Sequence, residues 1–282
     1  MSEQKTPQSL GVKPESRNLL LRALAAAVLA PLAIVLAWAG GWFWAVLVTL
    51  AAVGMYVEWL LIVGVARQSR LVASGVAALL VAGICLALGR HDGAFAVYAL
   101  GLVAVALLAR DGRCWPVGGL LYAAAAQVAA ILVRQDPLWG FSALMFVLLV
   151  VWATDIGGYF AGRGIGGPKL WVRVSPKKTW AGAIGGLTGS LMVAAGFAAS
   201  GIGKMAALLV LATVLSIVSQ LGDLFESAVK RRFGVKDSSN IIPGHGGVLD
   251  RIDGFVAAIV LAAVVGVIRG GIDGVARGLM VW

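Results

Sequence analysis

Long apolar runs separated by short polar breaks recur from Leu19 almost to the end of the chain. Each approaches the roughly 20 residues that an α-helix needs to cross a bilayer. The pattern predicts nine such helices, at 19–38, 42–65, 71–89, 93–109, 115–133, 138–160, 180–200, 205–229 and 254–268. No fixed-period repeat is evident, and the abundance of Gly and Ala suits close packing of helices in lipid. The chain therefore reads as an all-α integral membrane protein of about nine transmembrane helices. A polar tail at 1–18, with two prolines and mixed charge, precedes one polytopic domain at 19–282. The first run is too long for the apolar region of a signal peptide and has no small-residue cleavage site after it, so it is expected to be retained.

Composition agrees. At 60% hydrophobic and 13% charged residues the chain lies far from soluble domains, which carry roughly 25% charged residues. The formal charge of +10 follows from Lys and Arg gathered in the loops of one side, and nucleic acid is not an expected partner. With the N-terminus inside, 18 of the 23 Lys and Arg fall in inner segments and 5 in outer ones. That split supports an odd number of helices and a cytoplasmic N-terminus, placing the most polar loops on the cytoplasmic side. Cys85 and Cys114 are far apart and read as small hydrophobes, and two histidines are too few for a His-rich metal site. Any metal must then rely on carboxylates, and so be a hard cation such as Mg²⁺. Glu58 lies inside the second run, where a charge costs roughly 2.5–3.5 kcal/mol at mid-bilayer. It is expected to be neutral or to reach the interface beside Trp59, with a packing or catalytic role as the alternative. Trp38, Trp42 and Trp44 are expected to be interfacial anchors.

The polar stretch Asp223–Asp253 breaks the pattern most sharply. It holds five cations, five carboxylates and one of the two histidines between two apolar runs. Its first part is predicted helical, with Asp223, Ser227 and Lys230 on one face. The helix is expected to stop near Gly234. Pro243-Gly244 and Gly246-Gly247 then impose an open backbone whose N–H groups can face an anion. Asp250 and Asp253 follow at i, i+3, where a new helix begins.

The run Ser227-x-Val229-Lys230-Arg231-x4-Lys236-Asp237-x-Ser239-x2-Ile242-Pro243-x-His245-Gly246-Gly247-Val248-x-Asp250-Arg251-Ile252-Asp253 resembles the signature of the phosphatidate cytidylyltransferase (CDP-diacylglycerol synthase) family, without departure over that span. A second stretch, Asp155 to Gly182, is similar to the same family's D-x-x-A-Y-x-x-G-R and S-P-K-K-[ST]-x-E-G patterns. Gly158 replaces the usual Ala, and Ala181 stands where Glu is common, so no duty is assigned there. Ser175-Pro176-Lys177-Lys178-Thr179 is expected to open the seventh helix, with the Ser hydroxyl available as a cap. A lysine pair at a helix start calls for an anionic partner, although the pair could equally serve topology alone.

The resemblance implies transfer of CMP from CTP to phosphatidic acid, giving CDP-diacylglycerol and pyrophosphate. It implies Asp223 and Asp250 as ligands of Mg²⁺, with Asp253 a third candidate and a second ion allowed. Lys230 and Ser227 would act on phosphate beside them. Arg231, Lys236, His245, Gly246, Gly247, Arg251, Ser175, Lys177 and Lys178 are the candidate phosphate contacts. Membrane lipids are partners by the same reading, and a homodimer is one admissible assembly. The residues alone leave two other classes open. One is a transporter whose discontinuous helices bind an anion; the other is a hydrolase built on a Ser227–Lys230 pair. Gly162-x-Gly164-x-x-Gly167 has the spelling of a dinucleotide fingerprint but follows no strand.

Overall fold

A run of apolar residues that must satisfy every backbone group inside lipid has one local solution, the α-helix, and the predicted runs adopt it wherever their residues are described. The computed structural model describes residues 28, 30–109, 114–239 and 246–282. The elements in order are α1 (Ala30–Ala39), α2 (Gly41–Val63), α3 (Ser69–Ala87), α4 (His91–Leu108), α5 (Cys114–Gln135), α6 (Gly140–Gly164), β1 (Lys169–Trp171), β2 (Ser175–Thr179), α7 (Trp180–Ala199), α8 (Met205–Arg232), α9 (Leu249–Gly270) and α10 (Val275–Met280). Among the described residues eight helices, α2 to α9, are long and apolar enough to cross a membrane. The protein is an all-α integral membrane protein. The tail 1–18, the first part of the run at 19–38 and His245 lie outside the described residues.

Two devices hold the bundle together. The first is a polar node at Gln127 on α5, which is fully buried. Tyr98 Oη donates to Gln127 Oε1 at 2.8 Å, while Gln127 Nε2 donates to Thr49 Oγ1 at 2.8 Å and to the Leu79 carbonyl at 3.1 Å. One amide thus ties α2, α3 and α4 to α5, a use of polar side chains suited to lipid, where apolar contact alone has no driving force. The second is backbone contact between α6 and α7. A Cβ at Gly157 would sit 2.5 Å from the Gly185 carbonyl oxygen, and one at Gly186 would sit 2.6 Å from that of Thr154. The small-residue faces let these helices touch main chain to main chain, which fixes where the ends of both helices stand.

The link between α6 and α7 departs from expectation. Ser175–Thr179 forms a strand, pairing antiparallel with β1 through Lys169↔Thr179 and Trp171↔Ser175, so the chain adds a hairpin to an otherwise helical fold. β-Branched Val172 and Val174, and Pro176 with its missing N–H, disfavour an earlier helix start. The cap of α7 is therefore Thr179, whose Oγ1 accepts from Gly182 N at 3.1 Å. Ser175 is not the cap. Trp44 also differs from the anchor reading: it is buried, and its Nε1 donates to the Ala130 carbonyl at 2.9 Å. Trp38 and Trp42 are exposed.

The segments rich in Lys and Arg meet at one end of the bundle. Arg232 sits over the Trp115 ring, Trp115 meets Phe233 edge-on at 4.9 Å, and Lys178 reaches Asp223. At the other end Arg134 bonds the Ala37 and Trp38 carbonyls, and His91 pairs with Gln135.

Candidate active site

The site forms where α6, α8 and α9 bring acidic side chains to the basic end of the bundle. α8 runs unbroken from Met205 to Arg232, so Asp223, Glu226, Ser227 and Lys230 occupy successive turns of one helix. Gly234, at φ 72°, releases the chain from it, as the Gly predicts. α9 starts at Leu249 and puts Asp250 and Asp253 on its first two turns. Asp155, on α6, is delivered by the tight contact with α7.

Two cavities result. The first, about 350 Å³, is lined by Asp155, Asp223, Glu226, Lys230, Asp237, Asp250, Arg251 and Asp253. The second, about 540 Å³, is lined by the end of α6, the hairpin and the start of α7, with Arg163, Lys177 and Lys178 supplying charge and Tyr159, Leu170 and Ala183 supplying apolar surface. Asp155 and Asp223 line both, so the two cavities share a wall.

Within the acidic cavity Lys230 is the hub. Its Nζ lies 2.6 Å from Glu226 Oε2 and 2.6 Å from Asp250 Oδ1. Glu226 is buried, and its Oε1 has no hydrogen-bond partner among the described residues. Asp250 Oδ2 accepts from Gly247 N at 3.0 Å and from Ser238 N at 3.0 Å, with Ser238 Oγ also at 3.0 Å. Asp223 Oδ2 meets Lys178 Nζ at 2.5 Å, and Ser227 Oγ donates to Asp223 Oδ1 at 3.4 Å. Asp155, Asp223 and Asp253 are near enough to repel one another. Six carboxylates against two cations leave this cavity with an excess of negative charge.

The sequence candidates divide accordingly. Asp223, Lys230, Asp250, Asp253 and Arg251 line the acidic cavity, and Lys177 and Lys178 line the basic one. Ser227 bonds Asp223 from its edge. Ser175, Arg231 and Lys236 line neither cavity, and Arg231 Nη1 instead donates to the Val235 carbonyl at 3.2 Å. Three amides of the glycine-rich backbone meet carboxylates of the chain itself. Gly247 N–H goes to Asp250, while Val248 and Leu249 N–H go to Glu58. Lys230 is held by two carboxylates and Ser227 by a third, so no Ser–Lys nucleophile pair forms. The unbroken α8 likewise lacks the discontinuity that the transporter reading needs.

Asp155, Glu226 and Arg163 were not singled out as site residues from sequence. Asp155 and Arg163 stand at fixed positions in the D-x-x-x-Y-x-x-x-R pattern, which was the available signal. Glu58 does not stand alone: it is fully buried and accepts four hydrogen bonds.

These features define a polytopic membrane protein with two adjoining charged cavities at one end of its helices. A profile of the cytidylyltransferase family matches residues 20–268. The phosphatidate cytidylyltransferase of Brucella melitensis biotype 1 is 44% identical over 259 residues, covering 89% of this chain and 94% of that protein. That of Brucella suis biovar 1 is 43% identical over the same shares. That of Haemophilus influenzae is 47% identical over 131 residues, 44% of this chain and 46% of the relative. The chain belongs to the cytidylyltransferase family.

Proposed function

We propose that the protein transfers CMP from CTP to phosphatidic acid, giving CDP-diacylglycerol and pyrophosphate for phospholipid synthesis. The observation that carries this reading is the pair of cavities sharing Asp155 and Asp223, one acidic and one basic with apolar lining. The names of relatives matching nearly the whole chain support the substrates. The gathering of Lys and Arg at the site end supports a cytoplasmic active face, in the inner membrane of a bacterium, by the positive-inside rule.

The donor set of the acidic cavity is all oxygen, which suits Mg²⁺. Among the described residues no three side chains stand ready to hold an ion; Lys178 contacts Asp223, and Lys230 and the loop contact Asp250. The charge excess still fits a cation: a triphosphate brought among six carboxylates is repelled unless positive charge comes with it. Asp223, with Asp155 and Asp253 beside it, would hold that ion once Lys178 turns to a phosphate, with Asp250 a further candidate on the same cavity. Bound Mg²⁺ would neutralise phosphate oxygens and stabilise the charge that builds on the leaving pyrophosphate.

The chain's own part is binding and alignment. Lys177, Lys178 and Arg163 would hold the lipid phosphate in the basic cavity, its acyl chains lying along exposed Ile156, Phe160 and Ile184. A phosphate oxygen of the lipid attacks the α-phosphorus of CTP. The new P–O bond forms as the α–β anhydride bond breaks, and both electrons of that bond leave with pyrophosphate. Lys230 and Arg251 face the side from which the leaving group departs, and the walls limit water, which would otherwise compete as nucleophile.

Purified protein incubated with α-³²P-labelled CTP, phosphatidic acid and Mg²⁺ tests this. Label should enter the lipid phase, stop on chelation and return with added Mg²⁺. Lipid that stays unlabelled with both substrates and metal present overturns the reading; labelling that survives chelation overturns the metal's part.

A further inference from the structure

Four hydrogen bonds converge on Glu58, a side chain with no exposed surface. Its Oε1 accepts from Ser239 Oγ at 2.7 Å and Val248 N at 2.9 Å. Its Oε2 accepts from Ser238 Oγ at 3.0 Å and Leu249 N at 2.8 Å. The donors lie on both sides of 240–245, more than 170 residues along the chain from α2, where Glu58 sits. Each carboxylate oxygen therefore takes one bond from each side, and the two flanks are clamped to a single point.

Two further features go beyond packing. Ser238 joins Glu58 to the acidic cavity: its Oγ lies 3.0 Å from both Glu58 Oε2 and Asp250 Oδ2, and its N–H points at Asp250. A hydroxyl has one proton to donate, so at any moment Ser238 serves one carboxylate and leaves the other. Gly247 passes so close that a Cβ would run into Ser238 Oγ and Glu58 Oε2, while its own N–H donates to Asp250.

We propose that Glu58 is a positioning residue for the CMP transfer described above, on which this inference rests. It fixes both flanks so that Asp250, and through it Lys230, faces the acidic cavity. It also offers the Ser238 hydroxyl a second acceptor, so Asp250 can turn to a ligand in the cavity without the loop letting go. Glu58 touches neither cavity itself, and its effect should fall on the nucleotide, not on the lipid.

The test uses Glu58→Gln, Glu58→Asp and the full-length wild type in lipid nanodiscs. Gln keeps the size but turns an amide donor towards groups that are themselves donors; Asp keeps the charge on a shorter stem. Hydrogen–deuterium exchange should rise in Glu58→Gln only at 236–239 and 246–252. Its kcat/KM for CTP should fall by about tenfold or more while KM for phosphatidic acid holds, and Glu58→Asp should recover part of both effects. Exchange that is unchanged, or raised evenly across the bundle, overturns the proposal. So does loop-confined exchange with unaltered kinetics, or a KM for phosphatidic acid that rises in step with that for CTP. Wild type that makes no lipid product fails on its own account: it sinks the CMP-transfer reading and takes the positioning role with it, leaving the exchange pattern to report the clamp alone.

Discussion

Lys230→Met removes the one ammonium that separates two carboxylates. Lys230 Nζ stands 2.6 Å from each of Glu226 and Asp250, whose side chains are 1% and 10% exposed. At that burial solvent screens little, and breaking such a pair by deleting one partner costs about 3–5 kcal/mol, since the charge left behind has nothing to meet. Asp250 keeps its bonds from Gly247 and Ser238. Glu226 keeps none, so most of the penalty should sit there. Thermal unfolding in detergent, followed by tryptophan emission, should show Lys230→Met strongly destabilised, and adding Glu226→Gln should return most of the loss. CMP transfer should fail in both variants, because the acidic cavity then retains Arg251 alone among its two cations. If Lys230→Met melts with the wild type, the buried triad is not what the distances imply. If the double variant regains turnover, Lys230 serves the fold and not the phosphates.

Lys178→Gln should separate stability from activity in the opposite way. The Lys178–Asp223 pair is 27% and 35% exposed, so it adds under about 1 kcal/mol, and the variant should melt near wild type while its KM for phosphatidic acid rises sharply; a shifted melting temperature with normal kinetics would refute this. Gly247→Ala should abolish turnover with expression retained, because the new methyl meets Ser238 and Glu58; normal activity would show that the loop relaxes freely. Gly157→Leu should cost about 1–3 kcal/mol through overpacking and reduce turnover together with it, since the new Cβ on α6 meets the Gly185 carbonyl at 2.5 Å and α7 must retreat, carrying Lys178 off. Unfolding and turnover measured on one preparation check it.

The helices were legible because lipid leaves the chain one choice, and the length of each apolar run then marks the span. Their ends were less so. The hairpin at Lys169–Thr179 was missed because Ser-Pro-Lys-Lys has the spelling of a helix start, and strand pairing depends on a partner some residues earlier that no local pattern reveals. The stop at Gly234 and the start of α9 around Asp250 were readable from glycine and charge. Among site residues, Asp223, Lys230, Asp250 and Asp253 stand in one stretch, and a run of that polarity between apolar helices is conspicuous. Asp155 is far from them in the chain, and its place depends on glycine contacts that composition hints at without locating. Glu58 was visible as an anomaly, but its partners lie more than 170 residues away, a distance across which sequence carries no geometric signal. The loop amides were misread for the same reason: nothing local says that their anion is the chain's own.

Charge explains why the two cavities should work as one. A phosphate monoester and a triphosphate repel each other, yet the attacking oxygen has to come within about 3–3.5 Å of the α-phosphorus before bonding begins. A uniformly basic pocket would bind both and hold them wherever cations happened to lie. Here the cations on the hairpin side, Arg163, Lys177 and Lys178, are separated from Lys230 and Arg251 by the wall that Asp155 and Asp223 form. That wall repels either anion alone and attracts a cation placed between them. Under the proposed CMP transfer, the position of lowest potential for a metal would also be the place where the lipid phosphate and the α-phosphate meet. On this reading Lys178, lying across Asp223 at 2.5 Å, supplies the positive charge that the carboxylate calls for, and substrate binding replaces one cation at that carboxylate with another.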